Sequence, residues 1–170
     1  LQRFIMVFIL NFYMNLKKEI GDAQVILLIN PNNKKIAEFL KNKKVGYITT
    51  EKTYENVDIK LKNVFYVDAV MATLHVPPIV QGCIFVSSPS GLTEIRLAFK
   101  SLIDERYCEA IIFDNLTVMK NKTDIGELLK FISELMIIIR SSKTKLLFLI
   151  DDASELKYDI QMFVDKIIRC

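Results

Sequence analysis

The chain predicts a three-layer α/β/α domain built on a mostly parallel sheet of about six strands. Two observations carry that expectation. Six short runs, Gln24–Ile29, Val45–Thr49, Val64–Val70, Cys83–Ser87, Ala110–Asp114 and Lys145–Ile150, are β-branched or aromatic, and most are apolar at successive positions. Strands that are buried on both faces look like this. Amphipathic segments separate the later runs, and strands alternating with helices make βαβ units, which cross over right-handed into a doubly wound sheet.

The helices follow from spacing. Lys34–Asn42 places Ile36, Phe39 and Leu40 on one face, and Leu92–Ile103 turns Leu92, Ile95, Ala98, Phe99 and Leu102 inward. Ser88 and Ser90, in the run SSPSG ahead of that second helix, offer capping hydroxyls. Ile125–Arg140 carries Leu128, Leu129, Ile132, Leu135, Met136 and Ile139 at three- and four-residue spacing, with Asp124 as its cap. A last helix is expected over roughly Leu156–Ile168. Met71–Gly82, with Pro77-Pro78, reads as a surface loop. No linker or repeat divides residues 14–170, which form one domain.

Composition narrows the function classes. With 51% apolar and 25% charged residues and a net charge of +3, the 170-residue chain is an ordinary globular protein, not a disordered one. The charge is too small and dispersed for nucleic acid, and Lys17-Lys18, Lys34-Lys35 and Lys41–Lys44 read as solvated helix ends. Cys83, Cys108 and Cys170 are far apart without a CxxC pair, and His75 has no ligand-spaced partner. No metal site is visible, and a reducing, cytoplasmic setting fits. The opening LQRFIMVFILNFYMN holds an apolar run, Phe4–Leu10, shorter than the about 20 residues that a membrane span needs. No small-residue cleavage site follows it. Residues 1–13 are therefore expected to be an extension ahead of a start at Met14, or an arm packed on the body, and no transmembrane segment is expected.

Ligands of such sheets bind outside the carboxyl ends of the strands. Those ends are Asn30–Asn33, Thr49–Lys52, Asp68, Ser87–Ser90, Asp114-Asn115 and Asp151-Asp152. Strand ends also meet water, and Asn, Ser and Asp cap the helices that follow, so each position taken alone has an ordinary structural explanation. The sharpest feature is EAIIFDNLTVM, residues 109–119, a buried strand that ends in Asp114. A Walker B element looks like this, its carboxylate orienting the Mg²⁺ that bridges nucleotide phosphates.

Five runs in order, GYITTEKTYENV (46–57), NVFYVDAV (63–70), CIFVSSPSGLTEIRLAF (83–99), AIIFDNLTVM (110–119) and KLLFLIDD (145–152), resemble the core of the RecA superfamily. They are most similar to its KaiC-like branch and that branch's small, degenerate archaeal relatives, over about Gln24–Asp152. The resemblance implies a RecA-like core of the P-loop NTPase fold. It places Asp114 at the Walker B aspartate, with Asn115 where Ser is usual. It places Glu51 at the first of the paired glutamates that polarise the attacking water in active members; Lys52 occupies the second position. Where the phosphate loop belongs, the chain has NPNNKK, with Asn32, Asn33, Lys34 and Lys35 as positional candidates for nucleotide contact.

That loop departs from what phosphate binding requires. GxxxxGK[ST] works because glycines let successive N–H groups turn inward, Lys neutralises charge and the hydroxyl ligates Mg²⁺. Pro31 has no N–H, no glycine precedes the helix, and no Ser or Thr follows Lys34 or Lys35. Asn32 and Asn33 can cap the helix, whose N-terminus still attracts an anion. A serine nucleophile is disfavoured by the missing G-x-S-x-G elbow, and a receiver domain by the missing acidic pair after the first strand.

The expectation is a non-hydrolysing pseudo-ATPase domain without cofactor, a regulatory, signal-transducing or protein-interaction module that binds a protein partner or itself. Glu51 and Asp114 are then relics. The alternative is a weak or unconventional ATPase binding ATP and Mg²⁺, with Asp114 on the metal and Glu51 on water; a further alternative is a DNA-associated recombinase relative. A chain started at Met14 is expected to be soluble with one cooperative melt. Aggregation relieved by restoring Phe4–Leu10 would place that run in the core.

Overall fold

The computed structural model describes residues 15–170. The extension 1–13, its run Phe4–Leu10 and the start at Met14 lie outside the described residues. In chain order the elements are α1 (Leu16–Ile20), β1 (Val25–Ile29), α2 (Asn33–Leu40), β2 (Val45–Thr49), a 3₁₀ turn (Tyr54–Asn56), β3 (Val64–Asp68), α3 (Met71–Leu74), β4 (Cys83–Phe85), α4 (Leu92–Asp104), β5 (Ala110–Asp114), α5 (Leu116–Lys120), α6 (Ile125–Arg140), β6 (Lys145–Ile150), α7 (Leu156–Ile160), a second 3₁₀ turn (Gln161–Phe163) and β7 (Lys166–Arg169).

The sheet order is β4-β3-β2-β5-β6-β1-β7, and every neighbouring pair is parallel. The fold is α/β with helices on both faces, as its apolar runs predict. β5 stands in the middle, which suits a strand whose first four residues are all buried.

Alternate strand residues feed two cores. Leu27, Ile29, Ile111, Phe113 and Phe148 pack with α4, α5, α6 and α7. Ile26, Leu28, Tyr47, Ile112 and Leu149 pack with α1, α2 and two residues of the β2–β3 connection, Val57 and Ile59. The second layer is the thinner, and an aromatic row continues it toward the β4 edge. Tyr47, Tyr66, Tyr54 and Phe85 follow one another with ring centroids 5.8, 5.7 and 5.9 Å apart. Gly46 lies where β2 and α4 approach closely: a Cβ there would come within 2.6 Å of Leu102 Cδ1.

Three expectations need correction. The segment after Asp152 is not one helix over Leu156–Ile168; it breaks after Phe163, and residues 166–169 add a seventh strand. Phe163, Val164, Ile167 and Ile168 have a helix-like spacing, but β1 offers an unpaired backbone edge, which β7 fills. Ser88 and Ser90 do not cap α4. Gly91 is the cap residue without a side-chain bond, the two hydroxyls lie 2.9 Å apart, and Glu94 reaches back to accept from the N–H and hydroxyl of Ser87. Met71–Gly82 is irregular apart from one helical turn, α3. Asp124 does cap α6, its Oδ1 accepting from the N–H groups of Gly126 and Glu127. No helix of the described residues is long and apolar enough to cross a membrane.

Asp165 fastens the seventh strand. Its Oδ2 accepts from the N–H groups of Gln24 and Val25 at 2.9 Å each, while Arg140 donates to both carboxylate oxygens at 2.7 Å. These charge-assisted bonds hold the Asp165 carboxyl far below the usual carboxylate range, the Arg140 contact first. Because the folded value is depressed, the stabilisation is present above the unfolded value of about 4 and is lost as pH falls below it. The ion pair is about one-third exposed, which limits its weight. Asp165→Asn is expected to cost about 1–2 kcal/mol at pH 7 in a urea melt, with the difference from the parent shrinking as the pH falls below 4. A pH-independent difference would assign the effect to packing.

Candidate functional site

A cleft of about 450 Å³ opens over the carboxyl ends of β1, β2, β5 and β6 on the thinner face. Asn30, Pro31 and Asn33 form one wall; Tyr47, Glu51, Lys52, Asp58 and Ile59 come from β2 and its connection; Asp114, Asn115 and Asp151 complete it. The position follows from the pleat, since Asp114 falls on the same face as Ala110 and Ile112.

Tyr47 donates its phenol proton to Asp114 Oδ2 at 2.6 Å. Burial pushes the Asp114 carboxyl above its ordinary value, the Tyr47 bond opposes that shift, and the negative charge of Glu51 adds to it. The Tyr47 phenol is driven far up, by burial first and then by the charge of Asp114 beside it. Thr50 sutures the strand ends: its hydroxyl accepts from Asn115 N–H at 2.9 Å and donates to Asn115 C=O at 2.8 Å. Thr50 N–H also donates to Asp114 C=O at 2.8 Å. Asp114 is therefore a fixed carboxylate on a rigid floor, with reduced acidity and a hydroxyl already on one oxygen. At the rim, Lys52 pairs with Asp58 at 2.7 Å in an exposed contact of the kind that contributes little.

The β1–α2 turn has only three residues, 30–32. Asn30, at φ 50°, donates its N–H to Ile150 C=O, and its side chain accepts from Asp152 N–H at 2.9 Å. Pro31 supplies no donor. Asn32 caps α2 by accepting from Lys35 N–H at 3.0 Å. Asn30 N–H in the turn and Lys35 N–H in the first turn of α2 are thus committed within the protein.

Among the sequence candidates, Asn33, Glu51 and Asp114 meet around one cleft, whereas Asn32, Lys34 and Lys35 are not among its lining residues. Asp68 is buried for a structural reason: it accepts from the N–H groups of Tyr54, Val70 and Met71 and ties the β2–β3 connection to the start of α3. Asp152 is used by Lys157 and Arg169. Ser87–Ser90 lie away from this cleft. Tyr47, Asp58 and Ile59 escaped notice in the sequence. Tyr47 sits inside an apolar strand, and only the β2–β5 register, which sets Thr49 beside Asp114, brings its hydroxyl there. Among the described residues no cluster of His, Cys, Asp and Glu is placed to hold a metal ion.

No family model matches the chain, and no curated protein matches it by sequence. Among solved structures it is similar to the flagellar accessory protein FlaH from Methanocaldococcus jannaschii, with 13% identity over 91% of this chain and 75% of that chain, and a TM-score of 0.44.

Tyr47→Phe is expected to cost about 1–3 kcal/mol at pH 7 in a denaturant melt, because Asp114 then lies buried without its donor. Asp114→Asn keeps an acceptor for the phenol and removes the ionisation. The folded value of Asp114 is raised, so its contribution is complete below the ordinary carboxylate range and is lost as pH rises through the raised value. Asp114→Asn should therefore melt at or above the parent at pH 7, with any gain vanishing toward pH 3. A clear loss at pH 7 would show that the charge itself is needed.

Proposed function

We propose that this domain is a non-hydrolysing, RecA/KaiC-like regulatory module that works by contact with protein rather than by turning over nucleotide. The observation that carries the reading is the β1–α2 turn. A phosphate loop presents a series of free N–H groups to the anion. Here Asn30 N–H serves Ile150, the next residue is Pro31, and Lys35 N–H serves the cap. A three-residue turn is also too short to wrap a triphosphate.

The carboxylate in the Walker B-like position supports the same reading. Asp114 keeps a phenol hydroxyl at 2.6 Å, and metal ligation would have to compete with that bond and with the burial that disfavours its charge. One observation favours the ATPase alternative: Asp114, Glu51 and Asn33 line a single cleft, the arrangement that a metal, a water and a phosphate would need. In that case Asp114 would ligate Mg²⁺ and Glu51 would polarise water. The cytoplasmic setting belongs to the proposal too, supported by three thiols outside any disulfide.

Titration calorimetry with ATP and Mg²⁺ is expected to give no saturable heat at micromolar nucleotide, and incubation with ATP no phosphate release above background. Mg²⁺-dependent binding that disappears in Asp114→Asn would replace this reading with the ATPase, and Glu51→Gln would then be the variant to assay for hydrolysis.

A further inference from the structure

The two edges of the sheet are treated differently. Edge strands offer unpaired backbone groups to other chains, and proteins commonly blunt them with charge. The β7 edge follows that rule, with Lys166 and Arg169 exposed on the strand and Asp165 before it. The β4 edge does not. From Ala69 to Thr93 the chain carries no Asp, Glu, Lys or Arg, although 25% of the whole sequence is charged. That segment is not hidden: Leu74, at the end of α3, and Val76 and Ile79, on the loop leading into β4, are 65%, 90% and 105% exposed. Among the described residues β4 pairs with β3 alone. An open strand edge and three protruding aliphatic side chains thus lie together in a segment without charge.

We infer that the β4 edge and its 74–80 loop form a two-fold interface with a second copy of this chain, the β4 strands running antiparallel so that two sheets join as one. Charge is the reason for choosing a second copy. Around a two-fold axis every residue near the centre faces its own counterpart, so any charge there meets a like charge. A charge-free segment meets that requirement, whereas the β7 edge would set Lys166 and Arg169 against themselves. The ladder over Cys83–Phe85 is short and Cys83 N–H already donates to Val80 C=O, so burial of Leu74, Val76 and Ile79 supplies most of the contact. Pro77 and Pro78 restrict the loop backbone in the free protein, which lowers the ordering cost of association.

The interface lies outside the cleft, and oligomeric state and nucleotide binding are read by separate measurements, so either conclusion can fail alone. Sedimentation equilibrium of the full chain is expected to give a dimer that dissociates on dilution. Val76→Asp and Ile79→Asp each place two like charges across the axis and should raise the dissociation constant about 100-fold, while the melt at dilutions where the parent is itself monomeric stays unchanged because both side chains are exposed. Ile137→Asp, at a side chain 73% exposed on α6, should leave the dimer intact. A monomer at every concentration overturns the inference, and so does a dimer that survives both loop variants or is broken by Ile137→Asp.

Discussion

The sheet is buried on both faces, and the other parts of the structure answer to that constraint. β1, β2 and the first four residues of β5 are buried at every position, and β6 at all but its first. Successive side chains point to opposite sides, so these strands need apolar cover above and below. Parallel neighbours require crossover connections, and those connections supply the cover. One layer receives α4, α5, α6 and α7, the other α1, α2 and a largely non-helical β2–β3 connection. The inequality of the layers is what leaves room for a cleft on the thinner side.

Polar groups at the carboxyl ends are mostly spent on holding the chain. Thr50 joins β2 to β5, Asn30 joins the β1 turn to the segment after β6, and Asp68 fixes three N–H groups of two connections. What remains facing the cleft is Asp114 with its phenol, Asn33, Asp151, the exposed Glu51, and the Lys52–Asp58 pair. A cleft in which Asn30 N–H and Asn115 N–H are committed internally and Pro31 has no N–H to offer is a poor anion site, however well placed it is in the fold. The aromatic row from Tyr47 through Tyr66 and Tyr54 to Phe85 connects this floor physically to the β4 edge.

Much was legible along the chain because it depends on nearest neighbours. Runs such as AIIFD and KLLFLI declare buried parallel strands, the spacing of Leu128, Ile132, Leu135 and Ile139 declares α6, and Asp124 announces its cap. The absence of glycine and the presence of Pro31 between β1 and α2 exclude an ordinary phosphate loop for reasons of local backbone chemistry. β7 and the missing Ser88 and Ser90 caps were not legible. In the first case a backbone edge contributed by β1, more than a hundred residues away, decides between helix and strand. In the second, Glu94 competes for the turn.

The cleft divides in the same way. Asp114 and Glu51 stand out as acidic residues at the ends of apolar strands, which the sequence alone determines. That Tyr47 binds Asp114, that Asn30 is held by Ile150 and Asp152, and that Lys34 and Lys35 lie off the cleft were decided only by tertiary structure. The reason is register: pairing Thr49 with Asp114 and Ile29 with Ile150 sets which polar tips face each other, and a shift of one residue would send each to the opposite face.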